Sequence, residues 1–123
     1  MTVRDVMEIL GAECLVGEDR LDNPVASGCG SDLMSDVLAF VKDNAVLITG
    51  LINPQVIRTA EMLDISNIVF SRGKRPSDEI LGMAKEIGIV ILSTPMTTYT
   101  ACGELYLRGL PGTSEKRSLE GGV

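Results

Sequence analysis

Three largely apolar runs, each followed by an amphipathic segment, dominate the chain from residue 45 onward. The runs are AVLITG from residue 45, NIVFS from residue 67 and IVILST from residue 89. An apolar run without polar alternation is typical of a strand that is buried on both faces of a parallel sheet. The segments between the runs repeat apolar residues at spacings of three and four, which indicates helices. The pattern therefore predicts successive βα units.

Capping residues indicate where these helices begin and end. Asn53 precedes Pro54, an arrangement that favours a helix start. The segment SDEILGMAKEIG predicts a helix that ends at Gly88, and TTYTACGELYLRG predicts a last helix that begins with a threonine cap, Thr97 or Thr98. Earlier in the chain, SDLMSDVLAFVKD predicts a helix over 31–43 that is capped by Ser31, with an inner face formed by Leu33, Met34, Val37, Leu38 and Val41.

The first thirty residues give weaker signals. Thr2 and Asp5 have the spacing of a capping box, and Gly11 is suited to end the helix that follows. A short strand is predicted over 14–16. The segment VASGCG predicts a second short strand that ends in glycines, with a tight turn as the favoured interpretation of Gly28 to Gly30.

Together these elements predict an α/β fold with one layered domain over residues 1–110. We expect a mainly parallel β-sheet with helices on both faces, built from successive βα units. The length of 123 residues suits one domain, and aromatic residues make up only 3%, so the core should be aliphatic. Residues 111–123 have no apolar face and are predicted to form a flexible C-terminal tail.

Charge and cysteine spacing restrict the partners and the location. The formal net charge is −6, which disfavours nucleic acid and anionic membrane surfaces as partners. The three cysteines have no short ligand spacing, so neither a zinc site nor a disulfide framework is indicated. Free thiols favour a reducing compartment, and no apolar run is long enough for a signal peptide or a membrane span. The sequence therefore predicts a cytoplasmic protein.

Catalytic chemistry has few candidates in this sequence. The chain contains no histidine, which removes the commonest general base and the usual partner of a nucleophilic serine or cysteine. Neither a P-loop nor a dinucleotide-binding fingerprint occurs, and Cys102 is interpreted as a small core residue. We therefore predict no catalytic residue, no metal site and no cofactor, and expect that the protein is not an enzyme.

Ligands of open α/β sheets bind beyond the carboxyl ends of the strands, and two predicted loops at these positions carry polar side chains. The loop SRGKR offers three cations, although Pro76, Asp78 and Glu79 favour a solvated basic turn over a tight anion cradle. The loop STPMTTYT carries more hydroxyl groups than one helix cap requires. The candidate ligand-binding residues are Ser71, Arg72, Gly73, Lys74, Arg75, Thr94, Thr97 and Thr98.

Two segments also carry a resemblance to a known family. The segment Pro76 to Leu81 fits the pattern P-S-x-E-[VIL]-L, and Ile87 to Thr100 fits a pattern that contains T-P-x-x-T-[YF]-T. These segments resemble the DRTGG domain, with an expected extent of residues 1 to about 110. The residues that give the family its name are not matched: Leu51 to Asn53 and Ser71 to Gly73 stand where the family has Asp-Arg and Thr-Gly-Gly.

The resemblance implies a role without chemistry. Such domains are similar to the N-terminal domain of HPr kinase/phosphatase, and they occur as assembly or regulatory modules that are often dimeric. It implies a regulatory or assembly module that forms a homodimer and binds a partner protein or a small effector. The alternative is a sensor domain that binds a nucleotide or another phosphorylated metabolite, and an enzyme of unknown activity is the third hypothesis.

Overall fold

The fold consists of five α-helices, one short 3-10 helix (Glu18–Arg20) and five strands within the part of the chain that the structure, a computed structural model, describes. The description covers residues 1–40 and 44–113. The helices are α1 (Val3–Leu10), α2 (Met34–Phe40), α3 (Pro54–Met62), α4 (Asp78–Ile87) and α5 (Thr98–Leu107). The strands are β1 (Glu13–Val16), β2 (Ser27–Gly30), β3 (Ala45–Thr49), β4 (Asn67–Phe70) and β5 (Val90–Ser93).

The strands form one sheet in the order β1-β5-β4-β3-β2. Strands β2 to β5 are parallel, and β1 pairs with β5 in the antiparallel direction. All residues of β3 and β4 are buried, as their unbroken apolar runs predict. The predicted α/β fold with a mainly parallel sheet is therefore confirmed.

Helices cover both faces of the sheet. From β2 to β5, each strand lies beside the one before it, and the chain moves across the sheet in one direction. Right-handed crossovers then place α2, α3 and α4 on one face. Helices α1 and α5 pack together on the other face. The two apolar clusters follow this division, with Leu47, Ile68 and Ile91 facing the first layer and Ile48 and Val69 facing the second.

Most of the predicted helix starts are confirmed. The Thr2 hydroxyl accepts a hydrogen bond from the amide of Asp5, whose carboxylate accepts one from the amide of Thr2, which completes the capping box. Asn53 caps α3, and Thr97 caps α5. Ser31 differs from its prediction, because its hydroxyl accepts from the amide of Leu33 and the helix begins only at Met34.

The predicted inner face of α2 is partly wrong. Met34 and Val37 are buried, but Leu33 is 58% exposed and Leu38 is 48% exposed. The later start of the helix places Leu33 before its first turn, so that this side chain no longer belongs to the buried stripe. Val41 lies outside the described residues.

The second short strand predicted in VASGCG is confirmed as β2, whereas the tight turn favoured for Gly28 to Gly30 is wrong. A β-carbon on Gly30 would lie 2.5 Å from the Cys102 sulfur, and one on Gly28 would lie 3.2 Å from a methyl group of Leu110. Glycine is therefore required here because α5 and the segment after it lie directly against the sheet. The sequence alone does not distinguish glycines that close packing requires from glycines that form a turn.

The structure also describes three residues beyond the predicted domain boundary at residue 110. The amide of Gly28 donates to the carbonyl of Pro111 at 2.9 Å, and Gly112 forms a parallel bridge with Gly28. These residues extend the pairing of β2 on its outer side. The remainder of the predicted tail, 114–123, lies outside the described residues. Among those described, no helix is long and apolar enough to cross a membrane.

Candidate functional site

Four loops meet at the edge of the sheet where the parallel strands end. Because β2 to β5 run in the same direction, the loops after Gly30, Thr49, Phe70 and Ser93 emerge on the same side. The carboxyl edge, as we call these four loops, is where open α/β sheets bind ligands. All eight candidate ligand-binding residues lie in two of these loops or at the start of α5.

The loop between β4 and α4 has an unusual backbone. Arg72 and Gly73 both have left-handed conformations, with φ values of 64° and 67°. Hydrogen bonds hold this turn, because the amide of Arg72 donates to the carbonyl of Met96 at 2.7 Å and that of Gly73 donates to the carbonyl of Thr94 at 2.8 Å. The left-handed conformation disfavours a side chain at position 72, and this cross-loop pairing offsets the cost.

Two cations of this loop meet on one carbonyl group. The Arg72 Nη2 donates to the carbonyl of Gly50 at 3.1 Å, and the Lys74 Nζ donates to the same oxygen at 3.4 Å. A β-carbon at position 50 would lie 2.5 Å from Arg72 Nη2, so glycine leaves the room that the guanidinium occupies. Arg72 and Lys74 are exposed, and within residues 1–40 and 44–113 neither forms an ion pair.

Arg75, the third cation of the loop, is directed elsewhere. Its guanidinium forms an ion pair with the carboxylate of Glu13 at 3.2 Å, and both side chains are mostly exposed. An exposed pair of this kind contributes little to stability, about 0 to 1 kcal/mol. The ion pair neutralises the charge of Arg75. Arg72 and Lys74 therefore supply the uncompensated positive charge of this loop.

Asp32 is a polar residue of this edge that the sequence analysis missed. Its Oδ1 accepts from the amide of Gly50 at 2.7 Å and from the hydroxyl of Thr49 at 3.0 Å. These hydrogen bonds, the Gly50 amide above all, hold the pKa of Asp32 below its usual value against a smaller opposing effect of burial, with the charges of Arg72 and Lys74 acting in the same direction. The sequence pattern places Asp32 in the first turn of the helix predicted over 31–43, whereas the helix begins only at Met34.

The candidate hydroxyl groups mainly hold the loops in place. The Ser71 Oγ lies 2.6 Å from the Thr98 Oγ1, and the Thr94 hydroxyl donates to the carbonyl of Leu10 at 2.7 Å. Ser71 and Thr94 have no exposed surface. Thr97 caps α5 through the amide of Thr100. These hydroxyls have hydrogen-bond partners within the fold, whereas Arg72, Lys74 and Asp32 are exposed charged groups at the carboxyl edge.

A small cleft lies on the other side of β2, between this strand and α5. Its volume is about 130 Å³, and its walls include Gly30, Ile48, Cys102 and Leu105. Burial raises the pKa of the Cys102 thiol, which keeps it in the unreactive protonated form. The described part of the chain contains no group of three histidine, cysteine or acidic residues suited to hold a metal ion.

The comparisons with known proteins agree with this architecture. A crystal structure of the CBS and DRTGG domains of the regulatory region of Clostridium perfringens pyrophosphatase, complexed with the activator diadenosine tetraphosphate, aligns with a TM-score of 0.70 and 23% identity. The alignment covers 89% of this chain and 47% of that chain, so this chain spans about half the length of its structural neighbour. This likeness supports the fold.

Comparisons at the level of sequence give one match and one negative result. No curated protein matches the chain. The profile of the DRTGG domain matches residues 5–106, which is most of the sequence and includes both of the motif segments noted above. The chain therefore belongs to the DRTGG domain family.

Proposed function

We propose that this protein is a non-catalytic regulatory module that binds a small effector at the carboxyl edge of its sheet. Membership of the DRTGG family supports a regulatory role, since the structural neighbour of known function carries its DRTGG domain in a regulatory region. That neighbour is complexed with a nucleotide activator. The fold similarity alone does not transfer this ligand, so the class of effector must be argued from the residues of this chain.

The observation that carries the proposal is the convergence of Arg72 and Lys74 on the carbonyl of Gly50. Two cations with one shared acceptor have several donor hydrogens left, and charge-assisted hydrogen bonds to phosphate oxygens are the strongest that such donors make. The surrounding protein carries a net charge of −6, so this local positive charge is of opposite sign to the whole. The favoured effector is a nucleotide or another phosphorylated metabolite.

The chemistry of the site supports binding without turnover. The buried hydroxyls of Ser71 and Thr94 have hydrogen-bond partners within the fold, and no histidine exists to activate them as nucleophiles. Asp32 is held in its charged form and faces two cations, an arrangement that suits recognition and opposes its use as a general base near neutral pH. We propose that ligand binding, and no reaction, occurs here.

Isothermal titration against a panel of nucleotides and sugar phosphates tests the proposal. We expect at least one phosphorylated compound to bind and to raise the melting temperature by mass action. Arg72→Ala and Lys74→Ala should each weaken this binding by about tenfold, the usual effect of losing a charge-assisted hydrogen bond. Arg75→Ala is the matched control, because it removes an equal charge from the same loop at a side chain that is paired with Glu13. Equal losses in all three variants, or no binding at all, would contradict the proposal.

A second candidate function is assembly as a homodimer through the outward face of α5. Tyr99 is 88% exposed and Leu107 is 79% exposed, so this helix presents large apolar side chains away from the sheet as well as toward it. Large apolar side chains exposed on the outward face of a helix are typical of a surface that becomes buried, here against a second copy. Assembly and effector binding are compatible, because α5 also borders the carboxyl edge through Thr98.

Light scattering coupled to size exclusion tests the assembly. We expect a dimer at micromolar concentration that Leu107→Lys converts to a monomer. Met62→Lys is the control, since Met62 is 68% exposed on α3, on the opposite face of the sheet. A monomer in the wild-type protein, or dissociation caused equally by both variants, would remove this candidate.

We also infer that the protein acts in the cytoplasm. Cys14, Cys29 and Cys102 are free thiols, and burial raises the pKa of each. Unpaired cysteines are typical of proteins from reducing compartments. Fractionation of cells that express the protein checks this location.

A further inference from the structure

We propose that Asp32 selects phosphorylated effectors that carry a free hydroxyl group, by accepting a hydrogen bond from that hydroxyl while Arg72 and Lys74 bind the phosphate. The inference rests on the proposed function and adds to it the second group that an effector must contain. It assigns a ligand-binding role to a residue outside the two loops that the sequence highlights.

Asp32 and the two cations lie on either side of one residue. The amide of Gly50 donates to Asp32 Oδ1 at 2.7 Å, while the carbonyl of Gly50 accepts from Arg72 at 3.1 Å and from Lys74 at 3.4 Å. The carboxylate and the cations are therefore joined through the two polar groups of one residue, which places them within about 10 Å of each other. A compact ligand with an anionic group at one end and a donor a few bonds away spans this distance.

The carboxylate is fixed in position and has accepting capacity left. Asp32 Oδ1 accepts two hydrogen bonds, and within the ranges that the structure describes Oδ2 accepts none. Asp32 is exposed as a residue, and we assign Oδ2, its oxygen without a partner among the described residues, to the ligand. An ionised carboxylate can accept about four hydrogen bonds, and two of these sites are already used to orient it.

The neighbouring charges decide which donor this oxygen accepts. Arg72 and Lys74 act electrostatically on Asp32, so a ligand ammonium group or a divalent cation placed here would be repelled by them. A neutral hydroxyl group avoids that repulsion and still gives a charge-assisted hydrogen bond to the carboxylate. The combination of phosphate and hydroxyl is the chemistry of sugar phosphates and of nucleotides with an intact ribose.

The carboxylate also opposes anions that lack such a hydroxyl. A phosphate bound beside a negatively charged side chain is repelled unless the ligand forms a compensating contact with it. Asp32 thus contributes attraction for one class of phosphate ester and repulsion for the other. Specificity is a difference between two binding free energies. Both effects therefore contribute to the ratio of the dissociation constants of two matched ligands.

Calorimetric titration with AMP and with 2′,3′-dideoxy-AMP tests the inference. The wild-type protein should bind AMP at least about tenfold more tightly than the dideoxy compound. Asp32→Ala should bring the ratio of the two affinities close to one. It should weaken the binding of AMP and leave the binding of the dideoxy compound equal or tighter. Asp32→Asn, which retains an acceptor oxygen for Gly50, guards against a loss of local structure and should reduce the ratio in the same direction.

Two further variants separate this inference from the proposed function. Asp36→Asn removes one negative charge from the neighbouring helix α2 and should leave the ratio unchanged. Arg72→Ala should weaken both ligands alike. If the wild-type protein binds both ligands equally while Arg72→Ala weakens them, or if Asp32→Ala strengthens both equally, Asp32 is only a repulsive neighbour and the inference is overturned. If the wild-type protein binds neither ligand, the inference is overturned, whereas the proposed effector class falls only if the whole panel of nucleotides and sugar phosphates also fails to bind.

Discussion

The Ser71 Oγ lies 2.6 Å from the Thr98 Oγ1, although 27 residues separate them along the chain. Ser71 follows the last residue of β4, and Thr98 is the first residue of α5. Their hydrogen bond therefore joins the loop that carries Arg72 to the helix whose outward face is apolar. The contact links the position of this loop to that of α5.

A double-mutant cycle on this pair tests the connection. Ser71→Ala and Thr98→Val should each lower the free energy of unfolding by about 1 kcal/mol, because each leaves a part-buried hydroxyl without its partner. The double variant should lose less than the sum of the two, since both hydroxyls are then gone. Urea denaturation measures all three. Ser77→Ala, which removes the cap of α4, is the control and should combine additively with Thr98→Val.

Gly50→Ala should affect binding far more than folding. The added β-carbon would lie 2.5 Å from Arg72 Nη2, which is the mobile end of a long side chain, so the guanidinium must leave the carbonyl of Gly50. The free energy of unfolding should change by less than about 1 kcal/mol, because an exposed arginine repositions at low cost. Affinity for a phosphorylated effector should fall by about three- to tenfold. A variant that binds normally would show that the Arg72 contact with Gly50 is irrelevant to the site.

Two other glycines offer stabilising substitutions. Gly82 in α4 and Gly103 in α5 are helical, and a β-carbon at either would contact nothing within 4 Å. Gly82→Ala and Gly103→Ala should each raise the free energy of unfolding by about 0.5 to 1 kcal/mol, because alanine restricts the unfolded chain and favours a helix. Thermal and urea denaturation check the gain. A loss in Gly103→Ala alone, accompanied by loss of the dimer, would place the glycine in the assembly interface.

Gly30→Ala should have the opposite effect. Its β-carbon would lie 2.5 Å from the Cys102 sulfur, so β2 and α5 would have to separate. Overpacking of this kind costs about 1 to 3 kcal/mol of stability. The double variant with Cys102→Ala should be less destabilised than the sum of the two single variants, because removal of the sulfur makes room for the methyl group. Additive losses would mean that the strand, and not the sulfur, responds to the substitution.

Asp32 should give the protein an acid-sensitive contribution to stability. Its pKa in the folded state lies below the ordinary value of 3.8, chiefly because the Gly50 amide donates to the charged carboxylate. A lowered pKa contributes stability that is fully present above the unfolded pKa and is lost as the pH falls through the folded pKa.

The melting temperature of the wild-type protein should therefore exceed that of Asp32→Asn near pH 6 and approach it as the pH falls below 3.8. Asp36→Asn serves as the comparison, since it removes the same charge from α2. A difference between wild type and Asp32→Asn that is constant over the whole pH range would contradict the assigned ionisation.

Local signals sufficed for much of this fold. The buried strands β3, β4 and β5 follow from apolar runs that only a doubly covered strand accommodates, and Asn53 and Thr97 mark helix starts by satisfying amides a few residues away. Such signals can be recognised in the sequence because the residues that produce them lie close together along the chain. The loops at the carboxyl edge were predicted for the same reason, as the positions that follow these strands.

Relations between distant segments required the tertiary structure. Asp32 lies beside Gly50 only because β2 is the parallel neighbour of β3, and the glycines that make β2 possible resemble a turn until α5 is seen to pack on them. The structure likewise decided that Ser71 and Thr94 hold the loops while Arg72 and Lys74 remain exposed. The sequence thus determined which elements form and which loops lie at the carboxyl edge. Strand order and loop packing decided which side chains are exposed at this edge, because those contacts join residues that no local pattern relates.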